Sequence, residues 1–308
     1  MCILLSISTI SAQTANFPIK IYESKIVLKV AYRDSLQKMG KYEKSILYWQ
    51  KWLQDSIFEY PMYNLAVNYT FLGDNDSAFY YLNRYLDLSE DDRIVLVDRD
   101  LFKLRKDTAR WRNIVQKIEN AYLQLLDSAT NKPLALQLFY LGIADQEYRI
   151  YLPILQQIND SLSPKMMQND RCLYDTLETI IKQHGFPTLS MVGKLASVNA
   201  FLLLQHSPKI KNKYYKMVRE AYLQNDFDPI SYAMLTDRWL MRKKKRQLYG
   251  TQCIENNRVF KKYKTSILYK VKDFKNVNQR REKIGMSETV EETVKWMGAV
   301  IPEKYYKK

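Results

Sequence analysis

The 308-residue chain is long enough for two domains of ordinary size. Its 46% hydrophobic content, with 11 Phe and 24 Tyr, suffices for packed cores, while 8 Gly and 9 Pro are too few for a disordered chain or an all-β sandwich. The formal charge of +15 is uneven: Trp239 to Lys308 hold 19 Lys+Arg against 7 Asp+Glu, a net of +12, which leaves +3 for residues 1–238.

The first thirteen residues, from Met1 to Gln13, are apolar or small and uncharged. They predict a secretory signal cut at Ala12, and hence an exported, periplasmic or extracellular protein. The basic n-region of such a signal is missing, which leaves a start upstream of Met1 open. Cys2 precedes the apolar run, which argues against a lipoprotein anchor. With the signal removed, Cys172 and Cys253 remain, either paired by export or held as buried free thiols.

From about residue 20 to 127 a helix-turn-helix pattern recurs. Gly40-Lys41-Tyr42-Glu43-Lys44-Ser45-Ile46 returns as Gly73-Asp74-Asn75-Asp76-Ser77-Ala78-Phe79, with the glycines 33 residues apart. Gly ends one helix in a left-handed conformation, and the small residue (Ser45, Ala78) lets the next pack closely. The pattern resembles the tetratricopeptide repeat. A third, degenerate unit is expected at Asp98–Leu126.

The pattern breaks near Asn131-Lys132-Pro133, where Pro133 suits the first turn of a new helix. Helices are expected at 133–158, 170–183, 189–206, 209–225 and 229–242. A β-hairpin is expected over 247–271, and a last helix at 287–298. The fold class is mainly α: tetratricopeptide-like helical hairpins, then an antiparallel helical domain over 133–300 with a small β-hairpin.

Both histidines of the chain fall in the second domain. Short connections make neighbouring helices antiparallel, so His184 and His206 sit at opposite ends, about 25 Å apart by helical rise. The same up-and-down threading gathers Asp170, Gln205, His206, Asp237, Arg238, Tyr249 and Gln252 at one end, with Asp145 and Arg149 as contributors. A carboxylate beside an imidazole makes a general base, so the catalytic candidates are His206, Asp170 and Asp237. Asp145, Arg149, Gln205, Arg238, Tyr249 and Gln252 are the ligand-binding candidates, Arg238 for an anionic group. Each has a structural counterpart: Asp170 as a helix cap, Asp237-Arg238 as an ion pair, and the histidines as cations at helix C-termini.

The series Asp145-Gln146-x-x-Arg149, His184-Gly185-Phe186-Pro187, Gln205-His206, Asp237-Arg238, Gln247-x-Tyr249-Gly250-Thr251-Gln252 and Arg280-Arg281 resembles a bacterial domain family of unknown function. The resemblance covers about 133–298 and implies a domain assignment without an activity. Lys243-Lys244-Lys245-Arg246 stands where that family has a Gly-containing turn.

Three functions compete. The first is an exported interaction or ligand-binding protein, with a repeat groove for a protein or peptide and a polar site in the second domain. The second is a hydrolase-type enzyme acting on cell-envelope material with His206 as acid/base. No nucleophile elbow, phosphate loop or zinc-ligand spacing accompanies it, so no metal or cofactor is assigned. The third is nucleic-acid binding through Tyr249, Phe260, Tyr263, Tyr269 and Phe274 among the C-terminal cations. The export signal disfavours it and leaves a polyanion or envelope contact for the basic segment.

Overall fold

The computed structural model describes residues 36–37, 39–55, 59–89, 93–128, 130–147, 162–207, 210–254 and 262–305. The expected signal segment, Arg149 and Phe260 lie outside the described residues. The chain divides into two units between Leu125 and Leu126.

The N-terminal unit is built on two turns that close in the same way. Gly40 and Gly73 have φ of 68° and 79° with open space around them, so backbone conformation selects glycine there. After each, the next N–H returns to a carbonyl five residues back, Lys41 to Leu36 and Asp74 to Tyr69. Helices α1 (Tyr42–Asp55), α2 (Glu59–Leu72) and α3 (Asn75–Leu86) follow. Asp74 caps α3 by accepting from the Ser77 N–H at 3.0 Å. Ser45 and Ala78 are fully buried at equivalent positions, and Asn68 Nδ2 donates to Ser45 Oγ. Trp49 packs with Ile46 and Leu65 in the core, with Trp52 partly buried against them. The expected third unit has only one α-helical arm. After the short α4 (Arg93–Val97), residues Arg99–Lys106 form a 3₁₀ helix, and α5 runs over Thr108–Gln124. Asp98 and Asp107 cap these two pieces.

The C-terminal unit contains α6 (Lys132–Glu147), α7 (Leu162–His184), α8 (Leu189–His206), α9 (Asn212–Leu223) and α10 (Pro229–Arg242). Helices α6 and α8 run side by side in the same direction. Asn131 N–H donates to Met191 O, Asn199 Nδ2 to Leu138 O, and the two C-terminal ends meet at Asp145 and His206. Gly142 permits this approach, because a Cβ there would sit 2.3 Å from the Asn199 side chain. Helix α7 runs against them, its Asn169 Nδ2 donating to Ala144 O. Gly193, with φ of 76°, kinks α8 early in its length. At the far end, Asp226 receives both the N–H and the hydroxyl of Ser190, and Phe186 packs edge-on against Phe227. Helices α9 and α10 zip together through stacked pairs, Tyr215 with Trp239 and Tyr222 with Tyr232.

The expected hairpin is described in part, since residues 255–261 lie outside the described residues. Among the described residues β1 (Cys253–Ile254) pairs antiparallel with β2 (Ile267–Leu268), and Gln247 and Ile267 form single parallel bridges to Val271 and Val300. Two short helices, α11 (Val277–Lys283) and α12 (Val290–Trp296), cover this sheet. Its apolar core is Leu268, Val271, Val277, Val290, Val294 and Ala299. Helix α11 is absent from the sequence reading; α12 carries a full capping box, Thr289 with Glu292. No described helix is long and apolar enough to cross a membrane.

Candidate functional site

Among the described residues the candidate polar side chains fall into two separate groups. The first is centred on α6 and α8. Asp145 is 1% exposed, and its carboxylate lies 2.9 and 3.1 Å from His206 Nδ1. Gln146 Nε2 also donates to it at 2.7 Å. The carboxylate that orients the imidazole is therefore Asp145, in place of the expected Asp170 or Asp237. In its neutral form the ring then carries its proton on Nδ1 and leaves Nε2 as an acceptor. The His206 side chain is 8% exposed, and among the described residues its buried Nε2 has no hydrogen-bond partner. The preceding residue repeats the pattern: Gln205 is 3% exposed and its buried Oε1 has no partner among the described residues. Arg242, at the end of α10, donates to the Gln205 carbonyl at 3.2 Å and holds the end of α8. Burial holds its guanidinium below the usual arginine range.

Asp170 is not a helix cap. Helix α7 begins eight residues earlier, at Leu162, because Pro164 lies in its first turn and is tolerated there. Asp170 is half-buried and carries a polar interaction of its own.

The second group is a closed network around Asp237, which is wholly buried. Its carboxylate accepts the N–H groups of Leu248 (2.7 Å), Tyr249 (3.1 Å) and Thr251 (3.0 Å), and the Thr251 hydroxyl (3.0 Å). Burial raises its pKa against the pull of those donors. Gln247, also wholly buried, donates to the carbonyls of Gln252 and Tyr269 and accepts the Gln252 N–H. Arg281 donates to the carbonyls of Tyr249 and Glu288 and to Thr293 Oγ1. Arg280 donates to the carbonyls of Leu248 and Asp273. Gly250 completes the loop with φ of 71°, and a Cβ there would meet Val290 at 2.5 Å. Gln252 spends its amide on Thr251 Oγ1. Tyr249 is half-buried, its hydroxyl pushed up to about 12 by burial. Arg238 is half-buried on α10 and engaged in an interaction of its own.

His184 is exposed at the C-terminus of α7, the opposite end from His206. Among the described residues, no three His, Cys, Asp or Glu side chains are grouped to share a metal ion. Cys172 and Cys253 are both free, and Cys172 is exposed rather than buried. Phe274 packs into the sheet core and against Tyr305, so it is no open stacking platform.

One residue pair at the site escaped the sequence reading. Gly142 and Asn199 set the distance between α6 and α8, and an isolated Gly inside a helical pattern was the available signal. Together the fold and site define a mainly helical domain with a two-stranded sheet and a buried Asp–His pair. The chain belongs to a family of unknown function, DUF6624, whose profile matches residues 137–301, more than half of its length. That match lies wholly inside the C-terminal unit. No curated protein and no solved structure matches the chain.

Proposed function

We propose that this is an exported ligand-binding protein whose C-terminal unit recognises a hydrogen-bond-donating ligand at Gln205 and His206. One observation carries the reading: consecutive residues each bury an acceptor, Oε1 and Nε2, with no partner among the described residues. Leaving such an atom unpaired costs about 1–3 kcal/mol, so a fold under no other demand would replace it. Both atoms accept, so the complementary ligand offers hydroxyl or amide N–H groups, as sugars and peptides of the cell envelope do. The N-terminal hairpins expose Leu47, Leu72 and Tyr80, which supports a protein or peptide partner for that unit.

The Asp145 contact favours a second reading, acid–base catalysis. A carboxylate on Nδ1 fixes the tautomer and stabilises the imidazolium that forms when Nε2 takes a proton. With His206 as base and a bound hydroxyl or water as the proton source, the chemistry is hydrolase-type.

Gln205→Met tests the binding reading, because it keeps the shape and removes the unpaired carbonyl. The expected result is a melting temperature at or above the wild-type value together with loss of thermal stabilisation by envelope-derived glycan and peptide fragments. A clear loss of stability in Gln205→Met would show that the amide is structural and end the reading. For catalysis, product formation from the same fragments, followed by mass spectrometry, should fall at least about 100-fold in His206→Asn and in Asp145→Asn. Unchanged turnover in either would end that alternative.

A further inference from the structure

We propose that Lys243, Lys244, Lys245, Arg246, Lys270 and Lys272 form a docking surface for a linear anionic polymer, read by repeated charge rather than by shape. The geometry joins two stretches distant in sequence. The run Lys243–Arg246 leaves α10 and enters Gln247, whose N–H donates to Lys270 O and whose carbonyl accepts from Lys272 N–H. Gln247 and Val271 point inward and are buried, so alternation turns Arg246, Lys270 and Lys272 outward. All six side chains are exposed, and among the described residues none of them forms an ion pair. The acid that follows Lys272, Asp273, is engaged by Arg280 and Asn276.

The backbone adds a second, independent observation. Helix α10 ends in a Schellman closure: Lys245 N–H donates to Leu240 O and Lys244 N–H to Met241 O. The left-handed residue of that closure, where glycine is cheapest, is Lys244, with φ of 57°. A side chain held in that conformation costs about 1 kcal/mol, and a charge is retained there despite it. Attraction to the helix dipole accounts for Lys243 to Lys245 at most and leaves Lys270 and Lys272 unexplained. Five of the six cations are lysines, flexible point charges without the fork geometry that reads one planar group. No large apolar side chain is exposed on this patch, which favours a polymer over insertion into a membrane surface.

The test is anisotropy of fluorescein-labelled heparin titrated with the full chain over a range of NaCl. The triple variant Lys243→Gln/Lys244→Gly/Lys245→Gln should bind at least about tenfold more weakly near 0.15 M salt, with the log–log salt slope reduced by about three. Its melting temperature should hold or rise, because glycine relieves the left-handed position. A control, Lys213→Gln/Lys216→Gln on α9, should stay within about twofold of wild type. Unchanged heparin affinity in the triple variant overturns the proposal, as does an equal loss in the control. Binding to phosphatidylserine vesicles without binding to heparin overturns it in favour of a membrane.

Discussion

Asp237→Asn is the sharpest test of how the second unit is held together. The carboxylate faces four donors and no acceptor, three backbone N–H groups and the Thr251 hydroxyl. An asparagine amide retains one oxygen. Placed at the Oδ2 position it still serves Tyr249 N, Thr251 N and Thr251 Oγ1. Its NH₂ then confronts the Leu248 N–H across a 2.7 Å contact, donor to donor. One buried N–H left unpaired costs about 1–3 kcal/mol, and the remaining bonds lose their ionic assistance. The expected destabilisation is about 2–4 kcal/mol by the same reasoning, with Asp237→Ala at or above the upper end. Urea unfolding followed by far-UV circular dichroism measures it as a shift in midpoint at unchanged slope. A loss below about 1 kcal/mol would refute the structural role, because only a loop anchored elsewhere tolerates that exchange.

Three further outcomes follow from the same geometry. Gly142→Ala forces a methyl to within 2.3 Å of Asn199 and should cost about 1–3 kcal/mol by urea unfolding, with the ring proton of His206 shifting in the NMR spectrum as α6 is pushed away. Arg281→Lys replaces a guanidinium that serves three acceptors on separate segments by one ammonium; a loss of about 2 kcal/mol or more is expected, and a neutral result would contradict the network. Glu178 is held at about 2 because, against the upward push of burial, the Lys211 ammonium and the Tyr174 hydroxyl stabilise its charge. A lowered carboxylate contributes stability that is whole above its ordinary value near 4.5 and is lost as pH falls through about 2. Glu178→Gln should therefore lower stability at pH above about 4.5, flatten the acid limb between those values, and approach the wild type only near pH 2.

Much of the helical framework was legible, because amphipathic periodicity and turn residues mark helices independently of what packs against them. The glycines at 40 and 73, Pro133, and the Asp228-Pro229 start of α10 each encode a local conformation that their residue type prefers. Boundaries failed where one residue type has two uses. The helix expected from residue 170 begins at Leu162, because the missing N–H of Pro164 costs nothing in the first turn of α7, and Asp170 therefore lies in a helix interior. The predicted 3.6-residue pattern at Asp98–Leu126 gave no warning that Arg99–Lys106 winds as 3₁₀, since Leu101 and Leu104, three apart, are buried in either form. At the site, the threading did not identify the pairing. Which carboxylate meets His206 depends on the parallel contact of α6 with α8.

The polar residues singled out from the sequence sort by satisfaction. Around Asp237, Gln247 and Arg281, each buried donor or acceptor named has its counterpart within the loop and sheet. Such a network has no spare valence, and its removal should be felt as lost stability whether or not anything binds. Around Gln205 and His206 the arithmetic does not close among the described residues: a buried carboxylate pairs one imidazole nitrogen and leaves the other, together with a neighbouring amide oxygen, without a partner there. A structural histidine in a dry interior is cheapest with both nitrogens paired or with none present, so half-pairing is a cost without a return inside the fold. Substitutions in the first group should therefore lower stability, and those at Gln205 should lower recognition while sparing it. That opposite sign is the measurable difference between the network around Asp237 and the recognition proposed at Gln205 and His206.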